Sequence, residues 1–340
     1  MEETPDERKR SGRSKSIGPC IVSCIFVFLT HLVLSLVPRF FSASSFLAQL
    51  ALSALLLLFF LGFGGWCRRT LLKRRASAPA FVFFNILFIW GFYISVISQV
   101  NLCVVPAAAV SLLNDAVFSC EVVFLLIGLY SIITSDPGFV TNGFASSDQV
   151  AEGSVSEVHN HEKELEVLAS GLSDDSTEGS GLVTRVRYCR ICKAYIRGLD
   201  HHCPAFGNCI GQKNHPLFLV LLFGLIITEA SYLVCTSLFV AKSGILHRPS
   251  LEPTLSENLT VSTILFIILQ LVWQVVFVIW HIYCVCFNIR TDEWINWKKH
   301  PEFQLLVQPQ PGKNFTSIKF RNPYDKGIRQ NVKEFLALRA

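Results

Sequence analysis

Within residues 187–211, RYCRICKAYIRGLDHHCPAFGNCIG, the chain places four cysteines and two adjacent histidines. Thiols and imidazoles at this density bind metal or do chemistry, and one side chain cannot serve both ends: a ligand is held by its ion, whereas a nucleophile must be free. Cys189-x2-Cys192 is the usual first half of a structural zinc site, in which four Cys or His ligands surround the ion. The second half must come from His201, His202, Cys203 and Cys209, and spacing alone leaves the choice open. Neighbouring residues of an extended chain point to opposite faces, so His201 and His202 are not expected to share one ion. A histidine and a nearby cysteine are then spare. With Asp200 they have the composition of a Cys–His–Asp set, in which the imidazole takes the thiol proton and the carboxylate fixes its tautomer and supports the imidazolium.

The surrounding elements must hold this segment in place. The 340-residue chain is 51% hydrophobic and 16% charged, against about 25% charged in average soluble domains. That balance argues against two soluble domains and for a chain that crosses a membrane several times. A span needs roughly 20 apolar residues at about 1.5 Å each to cross a hydrocarbon core of about 30 Å. Six stretches meet or approach that length, at about Ile21–Val37, Phe46–Trp66, Ala80–Val100, Asp115–Ile133, Pro216–Ala241 and Val261–Phe287. The first follows a basic leader, as a signal peptide would, but it is longer than a signal h-region and no small-residue cleavage site follows it.

Cytoplasmic loops carry excess Lys and Arg. The leader holds Arg8, Lys9, Arg10, Arg13 and Lys15, and the loop after the second span holds Arg68, Arg69, Lys73, Arg74 and Arg75. The loop after the first span has only Arg39, and residues 101–114 have no Lys or Arg. Six spans then place both termini and the 134–215 segment in the cytoplasm. The loop 242–260 falls in the lumen, where Asn258-Leu259-Thr260 would be a glycosylation acceptor close to the sixth span. On the reducing side, clustered thiols bind metal or catalyse rather than form disulfides. Cys20, Cys24, Cys103, Cys120 and Cys235 lie in or beside spans and read as small packing residues. Residues 141–182 are rich in Ser, Gly, Glu and Asp and read as a disordered linker. A short helix is possible around 156–169, and His159 and His161 read as solvated. Residues 185–215 are basic, with turn residues Gly198, Pro204, Gly207 and Gly211, and read as a hairpin knuckle held by metal.

The sequence DHHCP at Asp200–Pro204, with NCIG at Asn208–Gly211 and then Asn214, resembles the cysteine-rich domain of DHHC-type protein S-acyltransferases (palmitoyltransferases). Three further segments agree. SDPG at Ser135–Gly138, containing Asp136, Pro137 and Gly138, resembles the family's Asp-Pro-Gly. RTDE, with Thr291 and Glu293, resembles its Thr-Thr-x-Glu motif, with Arg290 replacing the first Thr. NPYDKGIRQNVKEF at Asn322–Phe335, with Tyr324 and Asn331, resembles its C-terminal motif. The resemblance covers roughly residues 115–335. It implies an all-α polytopic membrane protein of about six transmembrane helices, with a small zinc-bound, hairpin-type cysteine-rich domain in a cytoplasmic loop. The divisions are a basic N-terminus (1–20), four spans (21–134), a juxtamembrane segment and linker (135–184), the cysteine-rich catalytic domain (185–215), two spans with a luminal loop (216–288) and a C-terminal region (289–340).

Residue by residue, the resemblance implies that Cys203 accepts the acyl group, His201 is its base and Asp200 orients His201. It assigns His202, Cys189, Cys192 and Cys209 to zinc and puts Thr291 near Asp200. The family usually binds two zinc ions, but here no Cys-x2-Cys precedes residue 189, and Tyr188 and Tyr195 stand where a His and a Cys would be. One complete ligand set is missing and the other is complete, so one ion is expected. Ala205 replaces the usual Trp after the motif, with Phe206 next to it.

The implied reaction moves a long-chain acyl group from acyl-CoA (palmitoyl-CoA) to Cys203 and then to a cysteine of a substrate protein. Arg185, Arg187, Arg190, Lys193 and Arg197 are candidates for the CoA phosphates, against the plainer reading of solvated cytoplasmic charges. Membrane lipid and substrate proteins with membrane-proximal cytoplasmic cysteines are the expected partners, in an endomembrane (Golgi or endoplasmic reticulum) or the plasma membrane. Nucleic acid is not expected, because the ligand spacing is wide and the segment is pinned between spans. Cys284 and Cys286, at the end of the last span, read as packing residues or acylation sites. One rival is a catalytically inactive DHHC-like scaffold that binds zinc. Another is a metal transporter, for which Glu229, His31, His281 and Asn85 are too scattered.

Overall fold

The structure, a computed structural model, describes residues 5–70, 77–98, 108–140, 185–243, 254–307 and 317–337. The linker 141–182 with its expected short helix, the two histidines within it, Lys73, Arg74, Arg75 and Cys103 lie outside the described residues.

Apolar runs become helices here because hydrocarbon offers no partner to a backbone N–H or C=O, so each group must be paired within its own segment. Helix α1 spans Pro5–Leu34 and is followed by a short α2, Leu36–Phe40. Then come α3 (Phe46–Thr70), α4 (Ala78–Phe92), α5 (Ala108–Thr134), α6 (His215–Ser243) and α7 (Leu255–Cys286). Six windows, at Ile17–Phe40, Phe46–Phe63, Ala78–Ser98, Leu112–Thr134, His215–Ala241 and Leu255–Cys286, are long and apolar enough to cross a membrane. The protein is a multi-pass membrane protein. Leu58, Phe124 and Tyr130 stand exposed on the helix faces that lipid would cover.

Contacts divide the chain into two compact units. The helical unit holds residues 1–133, 204–207 and 219–281. Its core gathers Leu34, Phe92, Tyr93, Phe118, Tyr232 and Phe266. Helix α4 starts at Ser77, whose hydroxyl accepts the Ala80 N–H, and ends in a π-helical turn, Tyr93–Ser98. That turn aims the Tyr93 and Ser98 hydroxyls at the Asp115 carboxylate of α5. Small residues let α5 and α6 approach closely: a Cβ on Gly128 would lie 3.0 Å from Leu221.

Two sequence expectations are corrected in this unit. His31 and Asn85 are not scattered but paired, Nε2 to Oδ1 at 2.9 Å, and Glu229 accepts from Gln274 at 2.8 Å. The first pair joins α1 to α4 and the second joins α6 to α7. The Asn258 sequon is not a surface loop: Asn258 lies in the first turn of α7 and is buried, as is Thr260. The 242–260 loop is therefore shorter than expected, because the helix takes up its last residues.

The second unit holds residues 134–203, 208–218 and 282–340. Strand β1 (Val186–Cys189) pairs antiparallel with β2 (Ala194–Arg197), and β3 (His201–Cys203) with β4 (Asn208–Ile210). The Asp-Pro-Gly segment lies along the edge of the first hairpin. Arg197 N–H donates to Gly138 O at 2.9 Å and Val140 N–H to Tyr195 O at 3.0 Å. Gly138 makes this turn at φ +106°, a conformation that a side chain disfavours. Asp136 Oδ1 accepts the Gly138 and Phe139 N–H groups, and its Oδ2 accepts from Lys213. The C-terminal region, read in sequence only through its motifs, is folded. Helix α8 (Thr291–Asn296), the hairpin of β5 (Gln304–Val307) and β6 (Ser317–Phe320), and helix α9 (Ile328–Ala337) follow α7. Phe303 is fully buried, stacked on Phe320. Asn331 ties α9 back by donating to Cys286 O at 2.8 Å.

Gly211 is the tightest point, since a Cβ there would lie 2.3 Å from Pro137 O and 2.8 Å from Ile196 Cγ2. Gly211→Ala is expected to cost roughly 1–3 kcal/mol through overpacking. A lowered thermal midpoint of the detergent-solubilised protein checks this; an unchanged midpoint contradicts it.

Candidate functional site

The site is built by the second hairpin. Its register sets His202 opposite Cys209, His201 opposite Ile210 and Cys203 opposite Asn208. Side chains alternate along a strand, so His202 faces away from both His201 and Cys203. Cys189 and Cys192, from the end and turn of the first hairpin, meet His202 and Cys209. One ligand atom from each of the four lies within 4.8 Å of all the others. His202 Nδ1 is 3.9, 3.4 and 3.5 Å from the sulfurs of Cys189, Cys192 and Cys209, and the Cys192 and Cys209 sulfurs are 3.5 Å apart. Bond lengths of about 2.3 Å to sulfur and 2.0–2.1 Å to nitrogen give a tetrahedral zinc site edges of roughly 3.5–3.8 Å. The donor set therefore fits one zinc ion. Cys203 is not a member.

Asp200, fully buried, lies on the other side. Its Oδ2 is 2.7 Å from His201 Nδ1, its Oδ1 accepts the Thr291 N–H at 3.0 Å, and its carbonyl accepts the Asp292 N–H at 2.9 Å. Thr291 is thus near Asp200, as the motif implies, and makes the contact through its backbone. Burial pulls the His201 imidazole down. Hydrogen bonds to Asp200 and to Cys203, together with the Asp200 charge, outweigh it and carry the group up to about 9. A proton held on the ring is the state that an imidazolium–thiolate pair requires. Asp200, His201 and Cys203 form a connected row outside the metal cluster.

Two of the five cations proposed for CoA phosphates are engaged inside the protein. Arg185 donates twice to Glu293, at 2.9 and 2.8 Å, and to Asn288, with its guanidinium 3.8 Å from the centre of the Tyr324 ring. In the structure Arg185 acts as a clamp between Glu293 and Asn288. Arg187 is ion-paired with Glu302. Arg190, Lys193 and Arg197 are exposed. Cys284 is buried, which favours its reading as a packing residue.

Tyr188 and Tyr195 face each other across the first hairpin, ring centres 5.0 Å apart. Such a pair contributes roughly 0.2–1 kcal/mol, far below the roughly 10–16 kcal/mol of a structural zinc. The edge segment at Gly138–Val140 supplies further hydrogen bonds to this hairpin. Phe206 is buried where the usual Trp is absent. Sequence reasoning did not find Arg290 and His215 as partners. Arg290 is buried, and its Nη1 donates to His215 Nδ1 at 2.5 Å. The only signal was the departure from the Thr-Thr-x-Glu motif; the partner lies 75 residues away.

Residues 182–298 match the DHHC palmitoyltransferase family. Curated relatives include palmitoyltransferase ZDHHC12 of Homo sapiens, 31% identical over 163 residues that cover 44% of this chain and 54% of that protein. Palmitoyltransferase ERF2 of Eremothecium gossypii is 26% identical over 145 residues, 42% of this chain and 35% of that one. Probable protein S-acyltransferase 3 of Arabidopsis thaliana is 28% identical over 155 residues, 45% and 32%. The match thus spans from about a third to about half of these relatives. Residues 182–298 thus carry the likeness to the DHHC palmitoyltransferase domain, and the rest of the chain lies outside it.

Metal analysis of the purified protein is expected to return one zinc per chain. Cys209→Ser should lose the metal, whereas Cys203→Ser should keep it. Two ions per chain, or loss on Cys203→Ser, would refute the ligand assignment.

Proposed function

We propose that the protein is an integral-membrane protein S-acyltransferase that works through an acyl-enzyme on Cys203. The observation that carries this reading is Asp200 set 2.7 Å from His201, with His201 and Cys203 on the same face of β3 and both outside the metal cluster. His201 holds the proton of Cys203, and the thiolate attacks the thioester carbonyl of a long-chain acyl-CoA. The C–S bond to CoA breaks, and the leaving thiolate takes the proton from His201. A substrate cysteine then repeats the exchange in reverse: it gives its proton to His201, attacks the Cys203 thioester and leaves Cys203 as a thiol. Thioester exchange is nearly neutral energetically, so the work is activation and positioning. Asp200, with one oxygen on His201 and the other on a backbone amide, fixes the imidazole. Zinc, when bound, would hold the two hairpins together through Cys189, Cys192, His202 and Cys209.

The excess of Lys and Arg in the leader and after the second span supports a cytoplasmic domain with both termini on that side. Substrates would then be proteins with cysteines at the cytoplasmic membrane surface, in an endomembrane or the plasma membrane. The acyl chain would be buried among the spans at about 0.8 kcal/mol per CH₂. Arg190, Lys193 and Arg197 remain the cations that could meet CoA phosphates.

Labelling with a clickable palmitate analogue tests the reaction. The native chain should carry a hydroxylamine-sensitive label that Cys203→Ser abolishes, and an unlabelled native chain would support the inactive scaffold instead. In the same assay, His201→Ala should slow acyl-enzyme formation by roughly 10²–10⁴-fold, the usual worth of a general base. A His201→Ala rate within a factor of three of wild type would remove the imidazole from the mechanism.

A further inference from the structure

Three charged side chains, Asp200, Arg290 and Glu293, are buried in the second unit, with Arg185 half-buried against Glu293. A charge out of water must be compensated by a partner. Arg185 and Glu293 settle each other with two hydrogen bonds. Arg290 is the other cation here: it donates to His215, and a ring nitrogen of His215 lies within 4.8 Å of an oxygen of the fully buried Asp200 carboxylate.

The backbone geometry couples them further. Arg290 precedes the two residues whose N–H groups grip Asp200, one on the carboxylate and one on the carbonyl. Its own N–H is held by Glu293 Oε2 at 2.9 Å, and its guanidinium is anchored to His215 by Nη1. The Nη2 end lies 3.6 Å from where a Cβ on Gly198 would stand, two residues before Asp200. The buried Nε has no hydrogen-bond partner among the described residues, so the side chain is not there to satisfy its own donors. A neutral hydroxyl at this position, as in the motif it departs from, would bring no charge.

We propose that Arg290 is a positioning residue for acyl transfer: the fixed cation that, braced on His215, holds Asp200 against His201. The inference rests on the transfer reaction proposed above. Its effect is on the rate of acyl-enzyme formation rather than on binding of the acyl donor, because Arg290 is buried behind Asp200.

The test uses the full chain in detergent with alkynyl palmitoyl-CoA as donor and follows hydroxylamine-sensitive label on Cys203 in single turnover. Zinc content is measured on the same samples. Arg290→Met is expected to slow labelling about tenfold or more, which corresponds to about 1.4 kcal/mol. Donor half-saturation and zinc content should stay at wild-type values. Arg290→Lys, which keeps the charge, should recover most of the rate. In an Asp200→Asn background Arg290→Met should slow the reaction less than about threefold further, since its target is already altered. A wild-type rate in Arg290→Met, equal losses in the Met and Lys variants, or full additivity with Asp200→Asn would overturn the inference. So would zinc loss in the Met, Lys and Gln variants alike, which would make Arg290 part of the scaffold only. If Arg290→Met alone loses zinc, Arg290→Gln takes its place under the same criteria. A wild-type chain that takes no label overturns the transfer reaction instead, and this inference with it.

Discussion

The organisation of this protein turns on the alternation of side chains along a three-residue strand. His201, His202 and Cys203 are consecutive, and an extended backbone sends the middle one to the opposite face from its neighbours. Pairing with Asn208–Ile210 fixes the register, so that Cys209 meets His202. A slip of one residue would exchange the two faces, putting Cys203 with the ligands and His202 beside Asp200. Everything that pins the hairpin therefore keeps Cys203 apart from the four-residue cluster. Asn208 donates to Ser135 O, and Asn214 bridges Ser135 Oγ, the Cys209 carbonyl and the Gly211 N–H. These are buried or partly buried bonds, all but the one to Ser135 Oγ made to backbone groups, whose loss would leave unsatisfied groups.

Asp200 is the second dependency. A buried carboxylate without partners would be neutralised or excluded; this one is held by the His201 imidazole and the Thr291 amide. The C-terminal region is thus more than a tail. Its short helix supplies the amides, Glu293 clamps Arg185, and Asn331 closes the end of α7. The three motif segments are separated by tens to hundreds of residues, yet all three meet the cysteine-rich segment or the residues that brace it.

Much of this was legible in the sequence, for identifiable reasons. Span positions followed from apolar length, because in hydrocarbon length and hydrophobicity alone decide. The sorting of Cys189, Cys192, His202 and Cys209 from Asp200, His201 and Cys203 followed from strand alternation combined with a resemblance. What stayed hidden depends on long-range pairing. Nothing local marks Arg185 as a clamp for Glu293, 108 residues on, so it read like the other arginines around it. His31 and Asn85 looked isolated because their meeting requires two spans to pack. Asn258 carried a surface signal in its sequon, but the start of α7 drew it into a helix. In the β5–β6 hairpin only the four residues Ser317–Phe320 alternate, while Gln304–Val307 do not, and Phe303, which stacks on Phe320, is buried by tertiary packing.

The bond from the Thr291 amide to Asp200 has a consequence for how such a chain can drift over evolution. Since the donor is the peptide N–H, any residue with a main-chain hydrogen can occupy position 291 without breaking that contact, and proline alone cannot. A motif that looks relaxed in its side chains can therefore be strict in its backbone, and counting identities there underestimates how firmly the carboxylate is held.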